Sequence, residues 1–203
     1  MPLLKIINKK KFNYGIWKIT ESVEELLNKA DFNNIEIKYF EKFKNLDRKK
    51  QSITSRLILN ELCNKKVNVC YNKNGAPVSN EIKNISISHS NKLSVALISD
   101  NLVGIDIQKK SEKIQIIQKK FIAKNDSNKS FNDSYFLHYI WCSKEAIFKT
   151  LNGLPCSFKK NIFLKNLTKK KSLGHYQSVN KKLKFIIYHE MFEDYFISIA
   201  YKN

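Results

Sequence analysis

A chain of 203 residues with 42% hydrophobic content is long enough for one sizeable domain or for two small, intimately packed ones. No apolar run approaches the ~20 residues that a membrane-crossing helix needs, and lysines and Asn8 interrupt any signal-peptide core before Phe12. A cytoplasmic protein with no membrane partner is expected. The formal charge of +19 invites a nucleic-acid reading, because phosphate neutralisation dominates nonspecific affinity there. Yet only Arg48 and Arg56 among the 37 basic residues are arginine, whereas recognition of base edges and phosphates by paired hydrogen bonds favours arginine. Lysines run from Lys5 to Lys202, so most of the charge reads as solvated surface and nucleic acid is not the expected partner. Its sign would still steer an acidic protein towards the chain.

In chain order, residues 16–20 read as a strand. Residues 22–29 read as a short helix, with Ser22 as N-cap and Glu25 completing a capping box. The first long helix is predicted over 47–63, with Ile53, Leu57, Leu59 and Leu62 supplying its apolar side. Three short strands follow at 85–88, 93–98 and 102–107, and polar connections short enough for hairpins predict a meander. Asp106 is expected near the end of the last of them. A second long helix is predicted over 134–151, then strands at 183–188 and 196–201; the lysine-rich stretch 161–182 reads as a surface loop with one strand. This order gives an α+β fold. Cys63, Cys70, Cys142 and Cys156 lack C-x-x-C spacing, so reduced thiols are expected.

Chemistry concentrates in two of these elements. Period-two alternation puts Val103, Ile105 and Ile107 on one face of their strand and Gly104, Asp106 and Gln108 on the other. On the second long helix Trp141, Glu145 and Lys149 fall at successive i,i+4 positions, with Lys144 and Phe148 beside them. Taken singly, Asp106 is a strand carboxylate and Glu145 with Lys149 an exposed ion pair worth roughly 0.3 to 0.5 kcal/mol. Together they offer acidic and basic groups on separate rigid elements, which magnesium-dependent phosphate-ester chemistry requires.

Val103, Gly104, Ile105, Asp106 and Ile107, followed by Trp141, Lys144, Glu145, Ala146 and Lys149, resemble the two signature motifs of the 4'-phosphopantetheinyl transferases. Ser88, His89 and Ser90 are similar to the Ser-His-Ser segment of the Sfp-type members, Gly75 and Pro77 to their Gly-Lys-Pro, and Asn152, Gly153 and Leu154 to the turn after the signature helix. The four pieces keep the family's order over roughly residues 75–158.

The resemblance implies two similar α+β halves, over 1–99 and 100–203, packed as a pseudo-dimer in a monomeric chain with the active site between them. It implies transfer of the phosphopantetheine arm of coenzyme A to a serine of an apo acyl carrier protein or carrier domain, with Mg2+ as cofactor and adenosine 3',5'-bisphosphate released. Asp106 and Glu145 would hold the metal, with Gln108 as a third donor. A second role is open to Glu145, as the group that helps deprotonate the serine. Lys149 would reach the pyrophosphate, and Lys144 would neutralise phosphate charge or face the carrier protein. His89, Ser88, Arg56 and Arg48 would bind the adenosine 3'-phosphate. Three positions depart from the pattern. Gln108 replaces an acidic residue, Ala76 replaces the lysine of Gly-Lys-Pro, and Lys124 and Asp126 stand where many members have Phe and an acidic residue. Two alternatives stay open, a basic nucleic-acid-binding protein and a catalytically weak paralogue acting through protein contacts.

Overall fold

Strands β1 (Leu3–Lys9) and β2 (Phe12–Lys18) open the chain as a hairpin in which Lys9 pairs with Phe12. The computed structural model describes residues 3–123, 126 and 133–202. Helices α1 (Val23–Leu27), α2 (Asn34–Glu41) and α3 (Leu46–Cys63) follow. Short strands β3 (Cys70–Tyr71) and β4 (Pro77–Val78) come next, then the hairpin β5 (Asn84–Ser90) and β6 (Leu93–Ser99). The rest comprises β7 (Val103–Lys109), the short helix α4 (Lys113–Ile117), the long helix α5 (Ser134–Thr150), and β8 (Ile162–Lys165), β9 (Lys171–Gln177), β10 (Lys182–Phe192) and β11 (Tyr195–Lys202). The chain is α+β, and the strands of its two larger sheets pair antiparallel. It divides into two units, Met1–Cys70 with Pro77–Asp100, and Tyr71–Ala76 with Asn101–Asn203.

In the first unit the sheet order is β1-β2-β6-β5. Helix α3 packs on β2 and β6 because Ile53, Leu57, Ile58 and Leu59 bury there, in one core with Trp17, Phe40 and Ala96. It starts where the Asn45 side chain accepts from the Arg48 amide, and it stops at Asn64, which takes the left-handed φ of 51° that asparagine tolerates. The capping box at Ser22 and Glu25 forms as expected. A second one, Asn33 with Glu36, starts α2, an element absent from the sequence reading although it carries the same signature. β1 is also absent from that reading, since its hairpin turns on Lys10 and Lys11 rather than on the Asn-Gly type of signal.

The expected meander stops after its first hairpin. β5 pairs with β6, but the other edge of β6 is taken by β2, and β7 pairs with β11.

The second unit's sheet runs β7-β11-β10-β9-β8. Helix α5 lies along β7 and β11 and buries Leu137, Ile140 and Ile147 with Leu164, Tyr176, Phe185 and Ile187. The stretch 161–182 therefore carries two sheet strands rather than one strand in a loop. Ile162 and Leu164 on β8, and Ser172, Gly174 and Tyr176 on β9, alternate inward beneath a surface that reads as lysine-rich.

α5 approaches β7 most closely at Gly104. A Cβ there would stand 2.0 Å from the Ala146 carbonyl oxygen and 3.2 Å from Thr150 Cγ2. Backbone cannot rotate away as a side chain can, so Gly104→Ala must push helix and strand apart. A loss of about 3 kcal/mol is expected in urea unfolding.

Candidate functional site

Asp106 is the fourth of seven residues in β7 and pairs with Ser198 of β11, so it sits mid-strand rather than near the strand end. It shares the face of Gly104, the face that α5 covers, and is 6% exposed. From α5, Lys149 Nζ donates to Asp106 Oδ1 at 2.9 Å and to the Ile105 carbonyl at 2.8 Å. Glu145, one turn earlier on the helix, is half-buried. Burial, followed by the charge of Asp106, pushes its carboxyl up to about 7 against the opposing pull of Lys149. The structure thus brings Asp106, Glu145 and Lys149 together, and Gln108 lies half-buried two residues along the same strand face.

That donor set fits magnesium. The Glu145 carboxyl, raised by burial and by the charge of Asp106, would be relieved by a divalent cation, and Mg2+ prefers one or two carboxylates completed by waters and phosphate oxygens. Among the described residues no group of three or more His, Cys, Asp or Glu side chains is poised for a metal, so a third protein donor would be the Gln108 amide. The Lys149 ammonium now sits against Asp106 as its counter-charge.

A stability consequence follows from Glu145. Its proton is held more tightly in the folded chain than at the ordinary 4.5. The folded state is therefore favoured below that value, and the advantage is lost as pH rises to 7, by about 3 kcal/mol in all. Glu145→Gln is expected to remove this slope and to unfold at higher urea than wild type at pH 8, the two converging near pH 4.

Lys144 does not join this cluster. It is fully buried, and its Nζ donates to Asp126 Oδ2 (2.8 Å) and to the carbonyls of Phe121 (2.8 Å), Ile162 (2.9 Å) and Phe158 (3.0 Å). Asp126 also accepts from the amides of Ala123 and Leu164. The expected phosphate contact is thereby corrected to an interior ion pair, and the third carboxylate considered at Asp126 is spent on it. Lys124 lies outside the described residues.

In the first unit, Arg48 Nη1 lies 3.0 Å from Nδ1 and 2.6 Å from Nε2 of His89. Ser88 points to the opposite face of β5, as strand alternation demands. Arg56, eight residues beyond Arg48, is 2% exposed, donates to the Val69 carbonyl at 3.2 Å and lies over the Tyr39 ring. Of the four residues read as 3'-phosphate ligands, the structure pairs Arg48 with His89 and places Arg56 in the core.

Two arrangements are absent from the sequence reading. In the second unit Asn72 Nδ2 donates to Asn152 Oδ1 (2.8 Å) and Asn74 Nδ2 to the Asn152 carbonyl (3.0 Å). Gly75 and Gly153 both take positive φ, so the two glycine turns that the sequence marks separately are tied to one another. The asparagines at 72, 74 and 152 were the available signal. Beneath α5, His189 bridges Ser172 Oγ (2.9 Å) and Ser198 Oγ (3.0 Å), and burial lowers its pKa to about 3. This keeps a neutral imidazole next to the residue that pairs with Asp106. Cys142 is fully buried, and burial raises its thiol well above the ordinary range, which makes it inert. All four cysteines are free thiols.

Compared with known proteins, the sequence matches no family model and has no significant match among curated proteins.

Proposed function

We propose that this chain is a magnesium-dependent 4'-phosphopantetheinyl transferase acting on an apo carrier protein. The observation that carries the reading is the Asp106–Lys149 ion pair, with Glu145 beside it, on two rigid elements that Gly104 holds in backbone contact. Asp106 and Glu145 would hold the cation, which supplies charge stabilisation on the pyrophosphate oxygens when bound. Lys149, which is the counter-charge of Asp106, would be free to reach phosphate oxygens if a cation took over that role, one helical turn from Glu145.

In the transfer, the carrier serine oxygen forms a bond to the phosphorus bearing the pantetheine arm. The bond from that phosphorus to the bridging oxygen breaks, and adenosine 3',5'-bisphosphate leaves. The serine proton needs an acceptor. Glu145, whose carboxyl is pushed up to about 7 in the metal-free chain, would accept it at neutral pH, directly or through a water, where it acts as base in place of holding the cation. Arg48 with His89 forms a basic pair suited to the 3'-phosphate. Gln108, an amide where the resemblance implies a carboxylate, removes one charge from the metal's surroundings and lowers its affinity without removing a donor oxygen.

The order of elements supports the duplicated architecture. In the first unit β2, α3 and the closing hairpin β5–β6 give neighbours β2-β6-β5 with the long helix on β2 and β6. In the second, β7, α5 and the closing hairpin β10–β11 give β7-β11-β10 with the long helix on β7 and β11.

The test is incubation with coenzyme A, magnesium and several apo carrier proteins, read by mass spectrometry. One phosphopantetheine added to a carrier serine is expected. Folded protein that modifies none of them overturns the proposal. Coenzyme A should also raise the melting temperature, more so with magnesium, since a ligand that binds only the native state stabilises it.

A further inference from the structure

A second basic feature lies elsewhere in the first unit, where Lys9, Lys10, Lys11 and Lys83 line a cavity of about 290 Å³. Its wall is built at one end of the sheet. The three consecutive lysines form the tip of the β1–β2 hairpin, and Ser99 Oγ pins that tip by donating to the Lys11 carbonyl at 2.7 Å. Lys83 arrives from the segment that leads into β5. The Arg48–His89 pair belongs to the other end of β5, five residues on from Asn84, or roughly 16 Å at ~3.3 Å per residue. The cavity is therefore separate from the Arg48–His89 pair.

Charge around the cavity is unbalanced. Against four lysines stand two carboxylates, Glu81 and Asp100, and Glu81 is already bonded to Lys65 at 2.9 Å and to the Asn68 amide at 3.1 Å. Like charges gathered around a small concavity with an apolar wall, here Phe12, focus a positive potential into it. Lysine ammoniums are compact charges with three rotatable donors each, which suits phosphate oxygens pointing in several directions better than a planar carboxylate. The volume lies at the lower end for small-molecule sites, so it admits a phosphate chain rather than a whole cofactor.

We propose that this cavity binds the diphosphate group of a small phosphorylated ligand, independently of the Arg48–His89 pair. Cys63 lines the same cavity and is half-buried, while Cys70 is exposed and Cys142 fully buried. These three thiols make a local readout. The protein would be alkylated with a neutral maleimide, with and without inorganic pyrophosphate at constant ionic strength and without added metal. Labelling of each cysteine would be followed by peptide mass spectrometry.

Pyrophosphate at ten times its Kd should slow Cys63 about tenfold and leave Cys70 unchanged. The protection should vanish in a Lys10→Glu/Lys83→Glu variant and persist in Arg48→Ala, with Cys142 unlabelled and the Cys63 labelling rate without pyrophosphate far below that in urea in each, as proof that both units are folded. Four results overturn the proposal: no protection of Cys63, equal protection by sodium sulfate at the same ionic strength, protection that survives both charge reversals, or protection lost in Arg48→Ala.

Discussion

Asp106→Ala is expected to lower kcat/KM for transfer to a carrier serine by on the order of 10³-fold, about 4 kcal/mol of transition-state stabilisation. The substitution removes the only carboxylate that β7 aims at α5, and with it half of the proposed metal grip. It leaves the fold largely intact, because Lys149 keeps its bond to the Ile105 carbonyl and its ammonium is partly open to solvent. Asp106→Asn separates charge from shape. It keeps a donor oxygen in place, so high magnesium should recover part of its activity and none of that of Asp106→Ala. Full activity of the alanine variant at ordinary magnesium, measured by carrier modification, would remove Asp106 from the mechanism and the metal assignment with it.

Lys144→Ala is expected to cost about 3–5 kcal/mol of stability, read as a shift in the urea midpoint, with little change in the affinity for coenzyme A of the molecules that remain folded. Truncation leaves the Asp126 carboxylate buried without its counter-ion and three carbonyls without a donor, and an uncompensated buried charge is among the most destabilising single changes. Burial lowers the Lys144 pKa, and Asp126 works against that effect, so the ammonium persists because its four acceptors surround it. Lys144→Arg should rescue poorly, since a planar guanidinium cannot point at four oxygens disposed around a single nitrogen. A phosphate-binding lysine would behave in the opposite way, with a KM defect and an unshifted urea midpoint.

The contrast between Lys149 and Lys144 shows what can be read from the chain. Alternation along 103–108 and the i,i+4 spacing of Glu145 and Lys149 identify which side chains share a face, because those relations are local. Helices α1, α3 and α5 are legible for the same reason, from caps and period. Lys144 is misread because its neighbours in space, Phe121, Asp126, Phe158 and Ile162, come from segments that no local rule connects. The partner of β7 fails in the same way: short polar connections favour a hairpin with β6, and only the closure of the first sheet by β2 excludes it. Arg56 shows the limit for a charged residue on an amphipathic helix, where a register shift of one position exchanges solvent for core.

The asparagine tie between the two glycine turns also bears on the order in which the chain can complete itself. Asn72 and Asn152 are 80 residues apart, so as the polypeptide emerges the loop around Gly75 is made long before its anchor at the end of α5 exists. Closing so long an interval is entropically costly and slow compared with forming a hairpin. The second unit therefore acquires its final turn late, only after the end of α5 has formed.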